Sequence, residues 1–276
     1  MNVETFNYSL ESLAPFFYLN KRDRKNIYIF STEKEALEFY NNFSNFVPEA
    51  SHFPAWDTLS YDSFTPSLEI QGKRLQTLHN LLVMESFDIA MSMKSFTQKI
   101  FINGLDVIDM QIGQEVDFEN LIENLAFLRY VNKDRVESRG TFSIRGGQID
   151  IYPLNSEYPI RIIFNGDEVV ELKLFDYITQ RSIKNIKKVL ITPSSELFQT
   201  NQEDIYKSLE IESKKDLDEY ELFQFSQNLE NFKSLLDFVP DDISINVIDF
   251  NLCKEVFSEL QKIEDDSFNN LQKFFS

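Results

Sequence analysis

Gly140-Thr-Phe-Ser-Ile-Arg145-Gly-Gly-Gln-Ile-Asp150-Ile-Tyr-Pro153, continued by Pro159-Ile-Arg161-Ile-Ile-Phe164-Asn-Gly-Asp-Glu168, is where the chain changes its period. Ile149 and Ile151 alternate with Gln148, Asp150 and Tyr152, a spacing of two that turns one side of a strand inward. Pro159–Phe164 and Glu168–Leu174 read as two further strands separated by Asn165-Gly166. Asn-Gly between such runs signals a hairpin, because both residues accept the positive φ of a type I′ turn. Gly146-Gly147 marks a second turn, so Gly146, Gly147 and Gly166 are expected to be structural. Residues 139–193 therefore read as a small antiparallel sheet that must lean on its neighbours.

The flanks differ in pattern and charge. Residues 139–193 carry 8 basic and 6 acidic side chains and four of the seven glycines. Residues 1–138 carry 12 and 20, and residues 194–276 carry 7 and 19. Upstream, Asn26–Phe30 suits a buried strand, and Thr32 with Glu35 opens a capping box before Ala36, Tyr40 and Phe43. A helix is expected from Leu68 with Leu75, Leu78 and Leu82 on one face, then a strand at Phe87–Met91. Asp117 is placed to cap a helix bearing Leu121, Leu125 and Leu128. Downstream, Phe232, Leu235 and Leu236 suggest a helix, Ile243, Ile245 and Val247 a strand, and Leu252, Val256, Leu260 and Ile263 a last amphipathic helix. The expectation is an α/β domain in two parts, 1–138 and 194–276, interrupted by a β domain at 139–193.

Composition narrows function. A net charge of −18 over 276 residues repels phosphates, which argues against nucleic acid as the main partner. Cys253 is the single cysteine, so neither an internal disulfide nor a thiolate zinc cluster can form, and a reducing cytoplasm is the expected setting. The sequence has no GxxxxGK[ST] and no GxGxxG, so no phosphate-cradling loop is legible. His52 and His79 are too few for a metal site, and His52 beside Phe53-Pro54 reads as packing. Asp167-Glu168-Val169-Val170, an acidic run of helicase type at first sight, reads better as hairpin. No catalytic group, cofactor or metal is expected.

Two stretches carry a family resemblance. One is Phe53-Pro-Ala-Trp-Asp-Thr-Leu-Ser-Tyr61-Asp-Ser-Phe64-Thr-Pro66, followed by the helix holding Arg74 and Leu75. The other is the segment quoted at the outset, extended through Phe175-Asp176 to Thr179-Gln-Arg181-Ser182. Together, and with Leu235–Asp241, they resemble the N-terminal, UvrB-like module of the bacterial transcription-repair coupling factors (Mfd). The resemblance implies a degenerate RecA-like domain without an ATP site, interrupted by a small β domain that recruits UvrA in transcription-coupled nucleotide excision repair. It also implies that the RNA-polymerase-binding domain and the ATP-driven DNA translocase of the family lie C-terminal to this module. A C-terminal domain of the intact protein is further expected to mask the UvrA surface.

Residue by residue, Arg145 and Arg161 match arginines of the family's UvrA-binding surface, a role that suits the rigid guanidinium fork. Spacing alone offers Arg161 a plainer role. It would lie opposite Val170 and diagonal to Glu168, in an exposed cross-strand ion pair worth at most ~1 kcal/mol. Asn165 departs from the family, which usually has a second aromatic after Phe164 in the same patch, so apolar contact is reduced there. Trp56, Tyr61 and Phe64 could stack on bases but are expected to pack. Two rival functions follow. A UvrB-type ATP-dependent helicase needs a phosphate loop, and a nucleic-acid-binding module needs salt-sensitive binding through the basic sheet.

Overall fold

In the computed structural model the described residues are 10–20, 25–58, 65–101, 105–197, 232, 233, 235, 239 and 243–275. In chain order the elements begin α1 (Leu10–Asn20), β1 (Lys25–Phe30), α2 (Glu33–Phe43), β2 (Ser51–Phe53), α3 (Leu68–Val83), β3 (Phe87–Ser92) and α4 (Met93–Thr97). Next come β4 (Ile100–Phe101), β5 (Ile108–Gln111), α5 (Phe118–Phe127), β6 (Val131–Asn132), β7 (Thr141–Arg145), β8 (Gln148–Ile151) and β9 (Ile160–Asn165). The chain continues with β10 (Glu168–Phe175), β11 (Ser182–Ile186), β12 (Lys188–Ile191), β13 (Phe232–Lys233), β14 (Ser244–Val247) and α6 (Phe250–Phe275). The fold is mixed α/β with small sheets. It divides into two compact units, one drawn from Met1–Asp62, Thr77–Ile100 and Phe232–Ser276, the other from Ser63–Gln76 and Phe101–Asn231.

The first unit is built on a parallel sheet, ordered β14-β1-β3-β2. Every residue of β3 is buried, as expected of a parallel strand covered on both sides. The strand near the chain's end, β14, pairs with β1 in the register Asn26↔Ser244 to Ile29↔Val247. Thr32 and Glu35 form the capping box that starts α2. That helix lays Ala36, Phe39 and Phe43 against Tyr28 and Phe30 of β1. Within the sheet, buried Asp88 accepts hydrogen bonds from Asn26 Nδ2 at 3.0 Å and Tyr28 OH at 3.1 Å, satisfying a carboxylate that burial would otherwise penalise. The His52 ring stacks on Tyr40 at 5.8 Å, with Nε2 3.1 Å from Glu33 Oε1. Trp56 is buried, while Tyr61 and Phe64 lie outside the described residues.

Three expectations are corrected here. On α3 the buried leucines are Leu75, Leu78 and Leu81, and Leu82 is exposed. Phe232–Lys233 is a two-residue strand rather than the start of a helix. On α6, among the described side chains, Cys253 is buried and Val256 and Leu260 are half-buried, whereas Leu252 and Ile263 are exposed. For the two helices the spacing finds the periodicity but not which side has something to cover it. No helix among the described residues is long and apolar enough to cross a membrane.

The second unit is built on a six-stranded sheet, ordered β11-β10-β9-β8-β7-β6, antiparallel except for the β6–β7 pair. One face supplies Phe142, Ile149, Ile151, Ile160, Ile162, Phe164, Val169 and Leu172 to a core closed by Leu121, Leu125 and Leu128. Asp117 caps α5, its Oδ1 accepting from Asn120 N at 2.9 Å, and Phe118 meets Phe164 edge-on at 5.1 Å. The first half of α3 joins this unit through polar burial. Arg74, fully buried, donates from Nε to Glu196 Oε1 at 2.8 Å. Gln71 Oε1 accepts from Glu196 N at 3.1 Å. Gly72 has no room for a side chain, since an added Cβ would stand 2.2 Å from the Leu154 carbonyl oxygen.

The hairpin turn is centred one residue later than the Asn-Gly signal places it. Asn165 pairs with Glu168, leaving Gly166 and Asp167 as the central residues. Of these only Gly166 has positive φ, +61°. That is the type II′ signature, with glycine at the first central position, rather than type I′. The β7–β8 turn repeats it, with Arg145↔Gln148 flanking Gly146 at φ +60°. Gly147 faces β9 closely: its carbonyl accepts from Phe164 N at 2.8 Å, and a Cβ would come within 3.1 Å of the Phe164 oxygen.

Candidate protein-docking surface

Strand alternation decides which side chains share the face opposite the core. Ser143, Asp150, Arg161, Lys173 and Asn185 form one row across β7 to β11, and Arg145, Gln148, Ile163 and Glu171 form the next. These positions are two apart along each strand, so both rows emerge on the same side. Asn165, two beyond Ile163, follows on that side. The fold therefore brings Arg145, Arg161 and Asn165 to one polar face, with Gly146, Gly147 and Gly166 in the turns at one end of it.

The two arginines stand in different environments. Arg161 faces Asp150 and Lys173, not Val170, and its ion pair is with Asp150 rather than Glu168. The shifted turn and a bulge between Val169 and Glu171 account for the change in register. Nε and Nη2 of Arg161 donate to Asp150 Oδ1 and Oδ2, both at 2.8 Å. The guanidinium lies 4.6 Å above the Phe175 ring. Hydrogen bonding to Asp150 raises its pKa beyond the ordinary arginine value despite partial burial. The Arg161 side chain is 17% exposed and that of Asp150 only 2%, so this is a partly buried, bidentate pair rather than a surface one.

Arg145, at the end of β7, is exposed. Its Nη2 donates to the Asp134 carbonyl at 2.7 Å, and among the described residues it is paired with no carboxylate. The segment that includes Asp134 continues over one end of the face. Val136 packs with Tyr152 and Phe175, Arg139 sits 5.1 Å over the Tyr152 ring, and Arg135 Nη2 donates to the Ile178 carbonyl at 2.7 Å. Asn165 is exposed at the hairpin's edge. Phe164 is buried in the core, as its alternation with Ile162 predicts.

Sequence reading missed Asp150 and Phe175 as the partners that fix Arg161, and Gln148, whose Nε2 donates to Asp150 Oδ1 at 2.9 Å. The available signal was the spacing of Asp150 within the strand, which puts it beside Arg161 once a Gly146-Gly147 turn is granted. Half-buried Ile163 adds an apolar side chain to the polar face. Among the described residues no group of three or more His, Cys, Asp or Glu side chains is arranged to hold a metal ion. The surface offers a guanidinium fixed on a carboxylate, a second one held by a backbone carbonyl, amides and an aliphatic patch, groups of the kind found at protein interfaces.

The sequence profile of the family described as the UvrB interaction domain matches residues 108–197. The chain is 29% identical over 168 residues to the transcription-repair-coupling factor of Escherichia coli (strain K12), spanning 59% of the chain and 14% of that protein. Against the transcription-repair-coupling factor of Mycobacterium bovis the figures are 30% over 142 residues, 48% and 12%. Against that of Staphylococcus aureus (strain MRSA252) they are 26% over 268 residues, 86% and 22%. The chain thus spans less than a quarter of the length of these relatives. Over most of its length the chain is thus similar to transcription-repair-coupling factors (Mfd), as an N-terminal module of such a protein would be, and its residues 108–197 match the UvrB interaction domain.

Proposed function

We propose that this chain is a recruitment module of transcription-coupled nucleotide excision repair that docks UvrA on the polar face of the 139–193 sheet. On this reading the two flanking parts form a degenerate RecA-like domain that carries the sheet and binds no nucleotide. The RNA-polymerase and DNA contacts belong to other domains of the longer relatives, and so does the C-terminal domain that would mask the UvrA face. The observation that carries the proposal is Arg145, an exposed guanidinium without a carboxylate partner among the described residues, on a face already stiffened by the Arg161–Asp150 pair. Preorganised arginines of this kind lose little freedom on meeting a partner carboxylate. Arg161 contributes its exposed edge and holds the face in shape, while Asn165 supplies amide contacts at the rim.

The test is capture of purified UvrA by the immobilised chain, compared with the Arg145→Glu variant. Capture by the first and loss in the second is expected. Equal capture by both would move the site elsewhere, and no capture by either would remove the UvrA reading.

A further inference from the structure

A second surface lies at the sheet's margin, on the edge strand that borders the polar face. The sheet ends at β11, which pairs with β10 on one side and, among the described residues, with no strand on the other. Every residue from Arg181 to Asn185 is exposed, and so are Lys187 and Lys188. This stretch, Arg181-Ser-Ile-Lys184-Asn-Ile-Lys187-Lys188, holds four cations and no acid in a chain of net charge −18. None of the four makes an ion pair with a described residue, whereas Arg74, Arg135, Arg161, Lys73 and Lys173 in the same unit all do. Ile183, 51% exposed, sits in the middle of the strand, and the turn leading into it presents Tyr177 and Ile178, 38% and 67% exposed. That turn is held by Asp176, whose Oδ1 accepts from Thr179 N at 2.6 Å and from Ile178 N at 3.1 Å.

We propose that β11 is a docking edge for an acidic, extended peptide segment of a partner protein, which adds to the sheet as a further strand. An unpaired edge offers a row of backbone N–H and C=O groups, and strand addition satisfies them along its whole length. Lysines on an edge commonly serve only to keep two edges apart. Here that role does not account for the exposed Ile183, nor for four cations with no acid between them and no ion-pair partner among the described residues. A second copy of the chain would bring like charges together across the edge, which is unfavourable. Glutamate or aspartate on alternate positions of an incoming strand meets the cations instead, and β-branched residues between them meet Ile183.

The test uses the full chain and a fluorescein-labelled peptide of about ten residues alternating glutamate and valine, read by fluorescence polarisation. Saturable binding is expected, weakened at least ~10-fold by Lys184→Glu combined with Lys187→Glu. N-methylation of every second peptide amide, which keeps the charges but removes backbone donors, is expected to weaken binding by a similar factor. Arg145→Glu leaves it unchanged, which separates this edge from the proposed UvrA face. Equal binding of the N-methylated peptide would reduce the effect to charge alone and overturn strand addition. Displacement of the peptide by duplex DNA of equal charge, or self-association of the chain through this edge in sedimentation, would equally overturn it. Should the charge-reversed variant melt early, the N-methylated comparison on the unaltered chain decides.

Discussion

Removing the Arg161 guanidinium leaves Asp150, all but fully buried, without its bidentate partner. Breaking a buried pair from one side typically costs ~3–5 kcal/mol, and the partial exposure of Arg161 puts this one near the lower end. Arg161→Ala is therefore expected to destabilise the chain by about 3 kcal/mol in urea melts, while Arg145→Ala stays within ~0.5 kcal/mol. Arg161→Gln with Asp150→Asn should recover much of the loss, since no charge is then stranded. Equal, small effects of both alanine variants would contradict the pairing. The family resemblance put both arginines on one surface, but spacing could not tell them apart. Centring the turn one residue later advances each cross-strand partner by two, and the bulge adds one, which exchanges Val170 for Lys173 opposite Arg161. A bulge leaves no mark in hydrophobic alternation this short. Elsewhere, Glu33 illustrates pH dependence. Burial would raise its carboxyl, but the neighbouring His52 and Ser92 side chains and the Ala55 N–H outweigh it and hold the pKa below the usual value. A depressed folded pKa gives stability above the ordinary carboxylate range that is lost as pH falls through the folded value. Glu33→Gln should thus flatten the acid side of the stability profile in melts between neutral pH and about pH 3. An unchanged acid limb would contradict it.

The best-read elements are those whose signal is local. The capping box of α2 and the N-cap of α5 need only groups three residues apart, and both stand where the sequence places them. Helix α3 is different. Its extent was legible from the leucine spacing, but Gln71, Gly72 and Arg74 mark its most constrained side, and polar residues on a helix ordinarily mean solvent. What buries them is Glu196 and Leu154, far away in sequence. A methyl group at position 72 has nowhere to go, because its neighbour is backbone. Gly72→Ala should cost ~1–3 kcal/mol even though alanine favours helix more than glycine. A stabilised melt for this variant would show that α3 and the Leu154 segment separate easily. On α6 the reverse holds: its periodicity is plain, but of the predicted face Val256 and Leu260 are half-buried while Leu252 and Ile263 are exposed.

At the scale of the molecule, the acidic balance and the missing glycine loop bear on function more than any single element does. No phosphate-cradling sequence precedes α2, whose start is instead occupied by its own capping box. Calorimetry with Mg-ATP is expected to show no saturable binding, and micromolar affinity would revive the helicase reading. Duplex DNA should bind weakly or undetectably at about 150 mM salt, because few phosphates can be neutralised. The strands at Asn26–Phe30 and Phe87–Met91 and the antiparallel sheet were legible because each leaves a local mark, an apolar run or an alternation, in the sequence. The division into units was not, because residues 63–76 join a sheet that begins past residue 100, a contact that only tertiary packing reveals. The central claim is that UvrA docks on the polar face of that sheet. Its most direct test is a titration of purified UvrA onto the immobilised chain, with Arg145→Glu and Asn165→Phe measured beside it. The expected result is a Kd raised about thirtyfold or more by Arg145→Glu, with unaltered melts, and lowered by Asn165→Phe. A folded Arg145→Glu variant that binds UvrA as tightly as the original would contradict the account.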